Sequence, residues 1–118
     1  MIELSTLTGA MLVALGEETA GIFGNDPAFL EEVKSSGAFT NENFWIMPIT
    51  EENKLDVKGQ DADLTNSPKA RFGGSGQAAA FLERFVEKNV KWAHLDIAGP
   101  AMVRKSKLPG GGSLFGFG

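Results

Sequence analysis

Short apolar runs alternate with glycine and polar residues along most of the chain, and these runs predict alternating strands and helices. The segment IELSTLT predicts a strand that passes into a loop at residues 6–9, and TAGIF predicts a short buried strand. Residues 10–15 are apolar without a clean period, so the pattern does not separate helix from strand there. FWIMP predicts a short extended segment closed by Pro48, and residues 51–57 predict a weak helix.

Two further helices have clearer signals at their ends. Asp26 is placed to cap a helix with Pro27 at its first position, and this helix is predicted to run to about Ser36 and end at Gly37. A second helix is predicted after GGSG, with Ser75 as its N-cap. Its predicted buried face follows steps of three or four residues and comprises Ala78, Leu82, Phe85, Val86 and Asn89.

The segment KWAHLDIAG, residues 91–99, predicts a strand directly after that helix. Alternation places Trp92, His94 and Asp96 on one face of the strand, and Ala93, Leu95 and Ile97 on the other. A helix followed closely by a strand is typical of a sheet covered by helices. The predicted fold class is therefore α/β.

Size and composition indicate one cytoplasmic domain. The chain has 118 residues, 42% of them hydrophobic, which is enough for one modest core. The longest apolar run, residues 10–15, is far too short to span a membrane, and we see no secretory signal. The chain has no cysteine, which excludes disulfides and thiolate metal sites and fits a reducing compartment.

The charge is distributed unevenly along the chain. Residues 1–59 hold ten acidic and three basic residues, whereas residues 60–118 hold five acidic and eight basic ones. The basic half lacks the clustered stripe of a nucleic-acid-binding protein. Its densest patch, RKSK at residues 104–107, is typical of a solvated loop, so we expect no nucleic-acid partner.

His94, the only histidine, and Asp96 are the first candidates for chemistry. On a strand their side chains point the same way, as a metal-ligand pair or a base and its orienting group would. No third ligand or nucleophile has a suitable spacing. The alternative, a pair of buried structural groups, is favoured because most buried polar side chains are of that kind.

Two other polar motifs have weaker signals. Asp61 and Asp63 offer oxygen ligands for a hard cation, but two acids are too few, and a turn or helix start is favoured. The backbone of GGSG before a helix is a possible anion cradle, yet it lacks the spacing of nucleotide-binding loops. The loop TLTGA is more suggestive, because open α/β sheets place ligand contacts at strand ends.

Several segments together resemble one family in one order. STLTGAMLVALGEETAGIFGND, W-x-M-P, ADLTN, GGSGQAAAFLERFV and WAHLDIAG are similar to the C-terminal part of the leucyl aminopeptidase (M17) family. The resemblance implies part of an α/β/α sandwich with a mixed sheet, from an enzyme that removes N-terminal residues from peptides. It also implies a homo-oligomer, usually a hexamer, and two divalent metals (zinc, manganese or magnesium) in the complete site.

The resemblance further implies a set of substrate-binding residues. Thr6 and Gly9 would wall the pocket for the N-terminal side chain, and the Leu7 carbonyl would accept a hydrogen bond from the substrate. Ala98 would form the opposite wall. Further pocket positions would be Ala101 and Ser67, the latter standing where the family commonly has a larger apolar residue. Three of these positions, Gly9, Ala98 and Ala101, hold small residues, which leave volume for an apolar side chain of the substrate.

The same resemblance implies that the catalytic lysine and the metal ligands lie upstream of this segment, so we expect neither in this chain. Residues 1–118 are thus predicted to be a partial metalloaminopeptidase catalytic domain, truncated at both ends relative to the family and inactive in isolation. The alternative is a non-enzymatic, family-derived module with a scaffold or assembly role. In either case we expect exposed apolar sheet edges and a partner, which would be a second copy or the missing N-terminal portion.

Overall fold

The computed structural model describes residues 1–58 and 72–101, which form four strands and four helices. The strands are β1 (Ile2–Ser5), β2 (Thr19–Gly24), β3 (Asn43–Ile46) and β4 (Ala93–Asp96). The helices are α1 (Gly9–Leu15), α2 (Pro27–Phe39), α3 (Glu51–Asp56) and α4 (Gly74–Glu83). Within these two ranges, no helix has the length and apolar character needed to cross a membrane.

The strands form one mixed sheet in the order β1-β4-β2-β3. β4 is parallel to β1 and antiparallel to β2, while β2 and β3 are parallel. Ser5 pairs with Asp96 at the end of both strands. Because β1 and β4 are parallel, the loops that follow them leave from the same edge of the sheet.

Helices cover both faces of this sheet. Ile22 of β2 packs in a core cluster with Leu30 of α2, whereas the adjacent Phe23 packs with Met11 of α1 and Ala79 of α4. Neighbouring strand residues point to opposite faces, so α2 lies on one side and α1 with α4 on the other. This arrangement confirms the predicted α/β class with a mixed sheet and flanking helices.

The predicted alternation along β4 is confirmed. Ala93 and Leu95 belong to the cluster that α2 covers, and Ile97 packs against it. His94 faces the other way and stacks on Phe23 with ring centroids 5.9 Å apart. Every residue of β4 is buried, as expected for a strand between two others with helices on both faces.

The ambiguous segment at residues 10–15 is a helix. Thr8 caps α1, and its side chain accepts a hydrogen bond from the Met11 backbone N–H. The helix ends at Gly16, whose φ of 74° lies in the left-handed region that favours glycine. The other predicted strands and the short helix α3 are confirmed.

The prediction that Gly37 ends α2 is wrong. Asp26 caps the helix as expected, accepting from the Phe29 N–H at 2.8 Å, but the helix continues to Phe39. Gly37 is buried inside α2, and a Cβ there would overlap the ring of Phe44 in β3. The glycine therefore permits close packing of helix against strand rather than terminating the helix.

The predictions for the ends and buried face of α4 are also wrong. Gly73, at a left-handed φ of 74°, is the N-cap in place of Ser75, and the helix ends at Glu83. Phe85, from the predicted apolar face, is 67% exposed. The buried residues of α4 are Ser75, Gln77, Ala79 and Ala80. Small side chains form much of this face because they allow the helix to lie close to the sheet.

α3 docks on α4 through polar contacts. The Gln77 amide donates to Asp56 at 2.9 Å, and Lys54 lies 3.7 Å from Glu83 and 3.1 Å from Glu51. The hydrogen bond to Glu51, aided by the charge of Glu83, raises the pKa of the Lys54 ammonium. Such partly exposed pairs orient the two helices but add little to stability.

Candidate functional site

Five of the six predicted pocket residues lie in the segments that directly follow β1 and β4, at one edge of the sheet, with Gly9 as the first residue of α1. Thr6, Leu7 and Gly9 are exposed, and Ala98 and Ala101 are partly buried. A Cβ built on Gly9 meets nothing within 4 Å, so open space lies beside it. Ser67 lies outside the described residues.

The pairing of the two strands continues up to this pair of loops. The Ile97 N–H donates to the Ser5 carbonyl oxygen at 2.9 Å, one residue before Ala98. The Ala101 N–H donates to the Ile97 carbonyl oxygen at 3.0 Å, which turns the chain after β4. The two segments therefore begin side by side. They are here called the 6–9 loop, which consists of residues 6–8 and the first residue of α1, and the 98–101 turn.

A buried polar network connects these loops. Asp96 is fully buried, and its Oδ2 accepts from the Thr8 hydroxyl at 2.7 Å while its Oδ1 accepts from the Ala98 N–H at 3.2 Å. The Thr8 hydroxyl also lies 2.9 Å from the hydroxyl of Ser75, in the first turn of α4. Buried polar groups need such partners, and here they link a strand, a loop and two helices.

Gly99 fixes the 98–101 turn against the end of α1. It is buried, and a Cβ on it would overlap the carbonyl oxygen of Gly16. Only glycine allows this approach of two backbones. The position of Ala98 thus depends on contacts with the α1–β2 connection as well as on β4.

His94 has partners of its own, separate from those of Asp96. The ring is fully buried, and its Nδ1 lies 2.5 Å from a carboxylate oxygen of Glu3, the residue opposite it on β1. It stacks on Phe23 and on Trp92, whose ring centroid is 6.4 Å away. His94 and Asp96 therefore have separate partners and are not paired as a base and its orienting group. Both side chains are buried, as the structural interpretation expects, but among the described residues the Nε2 of His94 has no hydrogen-bond partner.

Glu3→Ala is expected to lower the free energy of unfolding by about 1–3 kcal/mol, because it leaves the buried Nδ1 of His94 without its partner. Urea unfolding followed by the fluorescence of the buried Trp92 measures this change. The control is Glu31→Ala, which removes an exposed carboxylate from α2. Equal unfolding midpoints for the two variants would contradict the pairing.

The described residues do not fit the two-metal site that the resemblance implies. Within residues 1–58 and 72–101, no three histidine, aspartate or glutamate side chains are grouped so as to hold a metal ion. Asp61 and Asp63 lie outside this part of the chain, as does the RKSK patch. The GGSG segment presents its Ser75 hydroxyl inward to Thr8.

Sequence reasoning did not assign roles to two residues of this region, Glu3 and Thr8. Glu3 is 91 residues from His94 along the chain, and Thr8 is 67 from Ser75 and 88 from Asp96. The available signal for Thr8 was its place before an apolar run that proved helical, where threonine is a preferred N-cap. No local signal identifies Glu3.

The chain is similar to known proteins of one family. Residues 1–117 match the sequence profile described as the cytosol aminopeptidase family, catalytic domain. A probable cytosol aminopeptidase of Aquifex aeolicus is 49% identical over 102 residues, covering 86% of this chain and 20% of the relative. One of Chloroherpeton thalassium is 47% identical over 118 residues, covering all of this chain and 23% of the relative.

Solved structures give the same result. A mutant of tomato leucine aminopeptidase superposes with a TM-score of 0.83 at 39% identity, covering 87% of this chain and 20% of that one. The bottromycin maturation enzyme BotP in complex with Mn superposes with a TM-score of 0.81 at 36% identity, covering 86% of this chain and 22% of that one. This chain thus spans about a fifth to a quarter of the length of the proteins it matches.

Proposed function

The chain belongs to the cytosol aminopeptidase (M17) family, and from that premise we propose that it forms part of the substrate pocket of a leucyl aminopeptidase-like exopeptidase. In this proposal the 6–9 loop and the 98–101 turn wall the pocket that receives the N-terminal side chain of a peptide. The two divalent metals and the catalytic lysine are supplied by a portion of the enzyme outside the described residues.

One observation carries the proposal: β1 and β4 are parallel neighbours, so the segment with Thr6, Leu7 and Gly9 and the segment with Ala98 leave the sheet at the same edge. Ligand sites of α/β sheets occur at such edges. The small side chains of Gly9 and Ala98, with open space next to Gly9, suit an apolar substrate group.

The proposed partner is the remainder of the catalytic domain, within a homo-oligomer of the cytoplasm. β1 is an edge strand among the described residues, and Ile2 and Leu4 on it are 51% and 44% exposed. An edge with apolar side chains favours pairing with further protein. The relatives' name, cytosol aminopeptidase, agrees with a cytoplasmic location and a peptide substrate.

The chain alone is expected not to hydrolyse leucine p-nitroanilide with Mn²⁺, because the described residues offer no cluster of metal ligands. The positive control is a chimera, called the graft below, in which this chain replaces the corresponding segment of the Aquifex aeolicus relative. We expect the graft to hydrolyse the substrate. Robust hydrolysis by the chain alone would contradict the proposed division of the site.

Two matched variants of the graft distinguish an effect on the pocket from an effect on folding. Ala98→Phe is expected to lower kcat/KM for leucine p-nitroanilide at least about 10-fold, since its ring occupies the proposed pocket. Ala38→Phe, on an exposed position of α2, is the control and should leave kcat/KM unchanged. A folded but inactive graft would favour the alternative, a non-enzymatic scaffold or assembly module.

A further inference from the structure

One buried carboxylate holds both segments of the proposed pocket wall. Asp96 is fully buried at the end of β4, and its two oxygens accept from different parts of the chain. Oδ2 accepts from the Thr8 hydroxyl of the 6–9 loop at 2.7 Å, and Oδ1 accepts from the Ala98 N–H at 3.2 Å. The spacing of the two loops is therefore tied to one side chain.

The hydroxyl of Thr8 has no hydrogen-bonding position left unused. Its proton goes to Asp96, because a carboxylate only accepts. Its oxygen accepts from the Met11 N–H at 3.3 Å, so the Ser75 hydroxyl, 2.9 Å away, must donate the remaining bond. A hydroxyl with one donated and two accepted bonds has a single favourable orientation, and Ser75 anchors it to α4.

This network also restrains two peptide groups of the proposed pocket walls. The Leu7 carbonyl belongs to the same planar peptide unit as the Thr8 nitrogen, so fixing Thr8 limits the rotation of that carbonyl. The peptide between Ile97 and Ala98 is fixed in the same way, by the bond of its N–H to Asp96.

We propose that Asp96 is a positioning residue that, through Thr8 and the Ala98 N–H, sets the separation of the two pocket walls and with it the selectivity for the substrate side chain. The inference rests on the proposed function of the two loops. Asp96 touches no substrate in this role; it acts through the wall residues.

Asp96→Ala tests the proposal because it removes both accepting oxygens at once. Neither the Thr8 hydroxyl nor the Ala98 N–H then has its acceptor on residue 96, so both walls are released.

In the graft, Asp96→Ala is expected to raise KM for leucine p-nitroanilide about tenfold with a smaller change in kcat. The effect on alanine p-nitroanilide should be smaller, because the methyl side chain of that substrate makes fewer contacts with the walls. Amide hydrogen exchange of Ala98, measured by NMR in the chain itself, should accelerate about tenfold. Glu31→Ala, on an exposed position of α2, is the control and should change neither KM nor the exchange rate of Ala98.

Thr8 provides a second, independent pair of variants if Asp96→Ala fails to fold. Thr8→Val removes the hydroxyl at nearly constant shape and should reproduce the loss of selectivity. Thr8→Ser retains the hydroxyl and should restore the leucine-to-alanine ratio of kcat/KM.

Three results would overturn the proposal: an unchanged substrate ratio in Asp96→Ala, unchanged exchange of the Ala98 amide in that variant, or equal losses in Thr8→Val and Thr8→Ser. A wild-type graft that folds but hydrolyses neither substrate would instead contradict the proposed function. In that case the Ala98 exchange rates alone decide whether Asp96 holds the walls.

Discussion

Phe23→Ala is expected to lower the free energy of unfolding by about 3–5 kcal/mol, a large share of the roughly 5–15 kcal/mol typical of a domain. Phe23 is fully buried in β2, where it packs with Met11 and Ala79 and stacks on His94. Removing its ring opens a cavity between the sheet and two helices. Urea unfolding monitored by tryptophan fluorescence gives the difference from the unsubstituted chain.

The control for this variant is Phe39→Ala at the end of α2. Phe39 is 93% exposed, so the same truncation should change the free energy of unfolding by less than about 0.5 kcal/mol. A loss of similar size in both variants would contradict the described core, because it would mean that exposure does not distinguish the two rings.

Gly99→Ala is expected to be the most damaging single methyl addition near the site. The new Cβ would overlap the carbonyl oxygen of Gly16, which is backbone and cannot rotate away. Gly16 itself has a positive φ of 74° at the end of α1, which favours glycine. We expect a loss of about 1–3 kcal/mol in the free energy of unfolding, since the 98–101 turn must shift to relieve the overlap.

The same shift would move Ala98, so the graft should lose activity as well. A displacement of about 1 Å in a binding element can lower a rate about 100-fold. We therefore expect kcat/KM for leucine p-nitroanilide to fall by that order in Gly99→Ala. Gly74→Ala is the control: its Cβ would meet only the Ala10 side chain at 3.6 Å, an ordinary contact. Wild-type activity and stability in Gly99→Ala would refute the close approach.

The sequence by itself determined most of the local structure. The strand in TAGIF, the N-cap at Asp26 and the alternation of KWAHLDIAG depend on neighbouring residues, and all three are confirmed. The sequence signals for helix ends failed at two glycines, because glycine can also permit close packing or begin a helix. Gly37 has the position of a helix end but packs against Phe44, and Gly73 rather than Ser75 caps α4.

In the candidate site, too, the sequence identified local segments, whereas the fold decided which of them lie together. The TLTGA loop and Ala98 were found by sequence, through strand-end chemistry and family resemblance, and their roles in the pocket stay predictions. That the two segments lie side by side follows from the parallel pairing of β1 with β4, two strands almost ninety residues apart.

The tertiary structure alone decided how the polar groups of KWAHLDIAG are used. The sequence placed His94 and Asp96 on one face and left open whether they act together. Only the pairing of distant strands could assign Glu3 to the first and Thr8 to the second. Local sequence fixes which way a side chain points, whereas its hydrogen-bond partner depends on which remote segment the fold brings within about 3 Å.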